Sequence, residues 1–233
     1  MHQDSAESTV DLVVPVKSLD EGKSRLYRSL GHDDLDRHRA LVLAIVTDTI
    51  DAALRAARVR RAVVVTPDPE VLATVAALGA IGLRDTQEGD LNASLSFGHF
   101  FLRGADAHAN VGVLLADLPA LRPDELDACV DAARGRRAMC TDRHGTGTAL
   151  LLTGAGQQLQ PRFGAGSASA HRATGAVPLD GSWPRLRCDV DTAADLLEAT
   201  ALGLGARTHA LVSAWDGRPA QPMAVTGSSP GLR

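Results

Sequence analysis

Residues 10–16 read Val-Asp-Leu-Val-Val-Pro-Val, an apolar run of strand length, and the chain changes character at Lys17-Ser18-Leu19-Asp20-Glu21-Gly22-Lys23-Ser24-Arg25-Leu26. That second stretch is polar and holds a glycine, which predicts a loop rather than a helix. From Leu35 to Ala57 apolar residues recur at helical spacing (Leu41, Ile45, Ile50, Leu54), which predicts a long helix. The same alternation continues outward. Ala62–Thr66 (AVVVT) reads as a strand, and Pro67-Asp68-Pro69 opens a helix through Leu78, with proline at an early helical position. Ala80–Leu83 is a short strand, and Gly89-Asp90-Leu91-Asn92 precedes a helix to Leu102. Gly112–Ala116 (GVLLA) is a strand ending at Asp117, Pro123–Ala133 a helix, and Arg137–Cys140 and Thr148–Leu152 are strands around an irregular stretch. Phe163–Ser167 is a glycine-rich turn before a short helix through His171, Leu186–Val190 is a strand, and Thr192–Leu202 is a helix. Strands that are continuous apolar runs, alternating with helices, mark an α/β fold: a mostly parallel sheet covered on both faces.

The 233 residues suit one domain, expected over residues 10–212, with a disordered lead at 1–9 and a loose Gly/Pro/Ser-rich tail at 213–233. Net charge is −4, against the basic face a nucleic-acid binder needs. No apolar run approaches the ~20 residues of a membrane span, and the polar start MHQDSAEST is no signal peptide, so a cytoplasmic protein without membrane partners is expected. Three widely spaced cysteines (Cys129, Cys140, Cys188) form neither a disulfide framework nor a zinc knuckle and read as small core hydrophobes. Aromatic residues are only 3%, which leaves Ala, Val and Leu to build the core.

A doubly wound sheet binds ligands at the carboxyl ends of its strands, so the residues just after each strand are the candidates. Lysine supplies only two of the 24 basic residues, Lys17 and Lys23, and both lie in the loop after the first strand. With Ser18 and Arg25, that loop has the cations and backbone amides to cradle a triphosphate, although it matches neither Gly-x-x-x-x-Gly-Lys-[Ser/Thr] nor Gly-x-Gly-x-x-Gly; a solvated basic loop is the alternative. Asp117 ends a strand at the ligand edge, where it either meets a metal or caps a turn. Asp189 and Asp191, two apart on an extended chain, project to one face, and like charges that close call for a cation. Together with Asp117 they have the oxygen chemistry for Mg²⁺, while Asp191 also suits the N-cap of the helix near Thr192 and Asp189 also suits an exposed strand. Gly145-Thr146-Gly147-Thr148 and Phe163-Gly164-Ala165-Gly166-Ser167 are two further glycine-rich turns with hydroxyls, suited to a second anion; His171, one helical turn after Ser167, faces that anion or the solvent.

Taken in order, VPVKSLDEGKSRL, LLADLPAL, GTGTALL, FGAGSASAH and CDVDTAADL resemble the 2-phospho-L-lactate or phosphoenolpyruvate guanylyltransferases of coenzyme F(420) biosynthesis, from Val10 to Leu211. The resemblance implies a three-layer α/β/α nucleotidyltransferase fold, similar to molybdopterin guanylyltransferases and GT-A glycosyltransferases. It implies transfer of GMP from GTP to phosphoenolpyruvate or 2-phospho-L-lactate, with product passed to a downstream deazaflavin transferase. By the same resemblance, Mg²⁺ is held by Asp117, Asp189 and Asp191. The nucleotide is bound by Lys17, Ser18, Lys23, Arg25 and Asn92, and the acid by Thr148, Gly164 and Ser167. Lys17, Lys23 and Asp117 are the expected catalytic groups. Two rivals are a molybdopterin or sugar-phosphate transferase on the same fold, which usually opens on a Gly-rich, alanine-containing loop absent here, and a non-catalytic nucleotide-binding module, which needs no carboxylate triad. The arginine excess fits a GC-rich, actinobacterial source, for which the resemblance favours phosphoenolpyruvate.

Overall fold

The computed structural model describes residues 9–31, 34–87 and 89–216. A seven-stranded sheet runs in the order β3-β2-β1-β4-β6-β5-β7. Its strands are β1 (Val10–Pro15), β2 (Val59–Thr66), β3 (Ile81–Arg84), β4 (Asn110–Leu114), β5 (Ala138–Thr141), β6 (Thr148–Leu152) and β7 (Val177–Pro178). β1 pairs in parallel with both β2 and β4, with Leu12 opposite Ala62 on one side and Gly112 on the other. Only β6 is reversed, antiparallel to both β4 and β5. The connection from β5 to β6, residues 142–147, is too short for the crossover that a parallel pair requires. The reversal brings the start of β6, at Thr148, to the edge where β4 and β5 finish.

Helices cover both faces, as expected of three layers. On one side α2 (Leu35–Arg55), α3 (Pro69–Ala77) and α5 (Pro123–Ala133) lay Val42, Val46, Ile50, Val71, Val75, Leu126 and Val130 against Leu12 and Val14 of β1. On the other, α4 (Leu91–Ala105) and α6 (Ser167–Ala173) pack Leu95, Leu102 and Ala168 on Val13, Val63, Val65 and Val113. Alternation along β1 therefore feeds two cores. α4 approaches so closely that a Cβ on Gly98 would stand 2.6 Å from Val13 Cγ1 and 2.9 Å from Val65 Cγ2. A third cluster joins α1 (Ser24–Leu30), α2 and α7 (Ala193–Leu202) through Leu26, Leu41, Ile45 and Leu196.

Three expectations are corrected. The polar stretch after β1 is only partly loop, because α1 starts at Ser24, immediately after a left-handed Lys23. Leu186–Val190 is not a strand: Leu186, Cys188 and Val190 are buried in alternation, as a strand's would be, but the segment crosses the end of the sheet and joins no ladder. Its Val190 N–H reaches the Asp117 carbonyl at 3.0 Å. Residues 213–216 are not part of a loose tail but complete α8 (Ala206–Asp216), which is anchored where the Arg37 guanidinium lies 4.2 Å from the Trp215 ring centre. The rest of the expected tail, and the lead up to residue 8, lie outside the described residues.

Candidate active site at the carboxyl edge of the sheet

The chain runs outward from β1 through β2 to β3 and then returns to the other side of β1 as β4. The strand order therefore reverses between β1 and β4, the crevice where doubly wound sheets take ligands. Two loops meet there, and each is held from below. In the loop after β1, Leu19 is fully buried and donates its N–H to Asp68 Oδ2 at 2.9 Å; the Ser18 carbonyl accepts the Gly22 N–H at 2.9 Å, and His38 Nε2 lies 3.0 Å from the Gly22 carbonyl oxygen. In the loop after β4, Leu118 donates its N–H to Thr49 Oγ1 of α2 at 3.0 Å.

This framing brings Lys23 to Asp117. The Lys23 ammonium pairs with Asp117 Oδ2 and, at 2.6 Å, with Asp191 Oδ1. Lys23 holds a left-handed backbone, φ 57°, which only glycine adopts without strain, so local stability has been given up where the ammonium is placed. Burial works against its charge, but the two carboxylates outweigh it and hold the amine above its ordinary range. Asp189 belongs to the same group: burial first, then repulsion from Asp117 and Asp191, push its carboxyl up to about 6.

One ammonium thus faces three carboxylates. The remaining oxygen of Asp117, Oδ1, is buried with no hydrogen-bond partner among the described residues. Surplus negative charge and an orphaned oxygen acceptor are what a hard divalent cation would satisfy. Among the described residues no group of three or more His, Cys, Asp or Glu side chains is already placed to hold a metal ion. Mg²⁺ does not need one, since it is usually bound by one or two carboxylates plus water and substrate phosphates.

The segment carrying Asp189 and Asp191 is fixed by residues the sequence reading did not single out. Asp195 accepts the N–H groups of Asp191 (2.9 Å) and Thr192 (2.7 Å), while Thr192, not Asp191, caps α7. Arg143, from the β5–β6 connection, pairs with Asp195 and donates to the Asp189 carbonyl at 3.1 Å. The S/T-x-x-[DE] spacing of Thr192 and Asp195 was the available signal for this cap.

Lys17 is exposed on the first loop and Arg25 on the first turn of α1, and Ser18 shapes the loop from within. Asn92 has both amide atoms engaged: Oδ1 accepts the Phe163 N–H at 2.8 Å and Nδ2 donates to the Phe163 carbonyl at 3.1 Å. It ties the start of α4 to the second glycine-rich turn. The two glycine-rich turns do meet, through Ala168 N–H to the Thr146 carbonyl (3.1 Å) and Ser167 Oγ to Thr148 Oγ1 (3.2 Å). Gly164 is exposed with φ 131°, a conformation open only to glycine, whereas Thr148 and Ser167 are buried. His171 is not on the surface: it is fully buried, with Nδ1 2.9 Å from Thr148 Oγ1.

Comparison with known proteins adds the fold and the family. A nucleotide-diphospho-sugar transferase assignment accompanies a solved structure from Desulfovibrio desulfuricans G20 that matches with a TM-score of 0.66 at 17% identity, covering 90% of this chain and 96% of that one; it shows the fold. Two relatives are the phosphoenolpyruvate guanylyltransferases of Mycolicibacterium gilvum (43% identical, 92% of this chain and 100% of the relative) and Salinispora arenicola (46% identical, 86% and 92%). The sequence profile described as "Guanylyl transferase CofC like" matches residues 10–213, and the chain therefore belongs to the CofC-like guanylyl transferase family.

Proposed function

We propose that this protein transfers GMP from GTP to the phosphate of phosphoenolpyruvate, releasing pyrophosphate, at the crevice between β1 and β4. The observation that carries the reading is the convergence of Lys23, Asp117 and Asp191 from three separate segments on that edge, in a guanylyl transferase family member. Relatives named for phosphoenolpyruvate and aligned over nearly their whole lengths favour that acid over 2-phospho-L-lactate.

The chemistry is an in-line displacement at the α-phosphorus. The attacking oxygen belongs to a phosphate already anionic at neutral pH, so no side-chain base is needed, and the chain contributes position and charge compensation. Lys23 moves from its carboxylate partners to the triphosphate and compensates charge developing on the departing pyrophosphate. Lys17 on the loop and Arg25 on the first turn of α1 add charge-assisted bonds to the phosphates, and Ser18 holds the loop's turn. Asn92 braces the turn that carries Gly164 and Ser167 through the Phe163 backbone. Thr148, Gly164 and Ser167 hold the acid. Asp117, Asp189 and Asp191 would hold Mg²⁺, which when bound supplies neutralisation between the two phosphates. The reaction sits in coenzyme F(420) biosynthesis in the cytoplasm, and a deazaflavin transferase consumes the guanylylated product. Among the described residues no helix is long and apolar enough to cross a membrane.

Pyrophosphate release from GTP and Mg²⁺ tests the reading, with phosphoenolpyruvate, with 2-phospho-L-lactate and with no acid. Release that requires the acid and is faster with phosphoenolpyruvate is expected; equal release in all three would overturn it.

A further inference from the structure

His171 sits in α6 with no exposed surface. Its ring nitrogens are engaged on both sides. Nε2 lies 2.9 Å from the backbone nitrogen of Arg162, whose N–H can only donate, so Nε2 presents a lone pair. Burial, with the guanidiniums of Arg137 and Arg162 nearby, pushes the imidazole down to about 4, so it is neutral at physiological pH. A neutral ring with a bare Nε2 carries its hydrogen on Nδ1, and that N–H donates to Thr148 Oγ1 at 2.9 Å.

This direction constrains the next link. Thr148 Oγ1 also lies 3.2 Å from Ser167 Oγ, and the bond between the two hydroxyls uses one of their two hydrogens. The opposite tautomer would accept from Thr148 and use up the second. With Nδ1–H donating, one hydroxyl hydrogen of the pair is left with no acceptor among the described residues. A buried donor without an acceptor costs about 1–3 kcal/mol, and a ligand oxygen that accepts and cannot donate relieves it best.

We propose that His171 is the positioning residue of the acid pocket: it sets the Thr148–Ser167 pair as a donor, so that the pocket takes an anionic oxygen of the acid and discriminates against a group that can only donate. This rests on the assignment of Thr148 and Ser167 to the acid, and it gives that site a chemical selectivity. Phe163, whose ring meets the imidazole edge-on at 4.8 Å between centres, keeps the histidine in place.

The test separates this inference from the reaction itself. Calorimetric titration of phosphoenolpyruvate into the full chain with Mg²⁺ reads acid binding whether or not turnover occurs, and steady-state kinetics read the two KM values and kcat. His171→Phe should weaken phosphoenolpyruvate binding and raise its KM about tenfold, the scale of one hydrogen bond to a charged group, while the KM for GTP and kcat at saturating acid stay within about twofold. His171→Asn keeps a donor at the Nδ1 position and should recover most of the loss. ¹⁵N NMR of the wild-type imidazole should show a neutral ring protonated on Nδ1 at neutral pH, a readout that survives if His171→Phe does not fold. The proposal is overturned if the hydrogen is on Nε2, if acid binding is unchanged in a folded His171→Phe, or if Asn rescues nothing. Wild type that binds the acid but releases no pyrophosphate would end the proposed reaction while leaving His171's role standing; wild type that does not bind the acid would end both.

Discussion

Replacing Lys23 by methionine removes one positive charge and keeps the length of the side chain. In the folded protein it strands Asp117 and Asp191, with Asp189 beside them, without their cation. The cost depends on how much water compensates. Side-chain exposures are 15% for Lys23, 18% for Asp117 and 48% for Asp191, so the cluster lies between the buried and surface limits. Breaking a buried pair costs about 3–5 kcal/mol and a surface pair at most about 1, which puts this change near 2 kcal/mol. For a chain of this size, that lowers the melting temperature by roughly 4–8 °C. Methionine inherits the same left-handed backbone, so strain at φ 57° cancels from the comparison and the ammonium alone is measured. Thermal melting in chelator reads this first effect. A second follows: a divalent cation and Lys23 compete for the same carboxylates, so Mg²⁺ should raise the melting temperature of Lys23→Met more than that of the wild type. Pyrophosphate release should meanwhile fall by about 100-fold or more through loss of a charge-assisted phosphate contact. A variant that melts within about 1 °C of wild type in chelator and gains nothing extra from Mg²⁺ would refute the charge-balance argument.

Asp189→Asn should abolish turnover yet raise the melting temperature in chelator by about 2 °C, because a carboxylate disfavoured by burial and by its neighbours is removed; a drop in melting temperature would contradict the repulsion. Asn92→Ala leaves the Phe163 N–H and carbonyl without their partners and should cost about 1–3 kcal/mol in denaturant unfolding, with a larger rise in the KM for the acid than for GTP. His171 is held neutral with a pKa near 4 against about 6.5 unfolded, so between those values the unfolded chain binds the extra proton and stability falls as pH drops. The stability difference between wild type and His171→Phe should therefore shrink by up to about 1.4 kcal/mol for each unit of acidification inside that window, measured by chemical denaturation; a difference that does not change with pH would place the imidazole in water.

The parts of this fold legible in the sequence are those written in local periodicity. Val10–Val16 and Gly112–Ala116 are apolar runs that only a two-sided sheet can bury, and the stripe through Leu41, Ile45 and Ile50 could only be a helix. Asp117 stood out because a charge closed such a run. The failures come from tertiary partners. Leu186–Val190 has the alternation of a strand, and nothing local reveals that no neighbouring strand is there to pair with it. α1 is seven residues with no side-chain cap and one fully buried residue, Leu26, so its polar sequence reads as loop. His171 lies in a short polar helix, and its burial is decided by Thr148, 23 residues earlier, and by the Arg162 backbone. The Lys23 cluster joins positions 94 and 168 residues apart, a separation at which composition can name the residues but not their contact.

The most direct test of the central claim follows the oxygens. Phosphoenolpyruvate labelled with ¹⁸O in its phosphate is incubated with the protein, GTP and Mg²⁺, and product and pyrophosphate are read by mass spectrometry. Attack of the acid's phosphate on the α-phosphorus predicts a guanylylated enolpyruvate that retains every labelled oxygen, and unlabelled pyrophosphate. Label in the pyrophosphate, or GTP consumed with no labelled guanylyl product, would contradict the account.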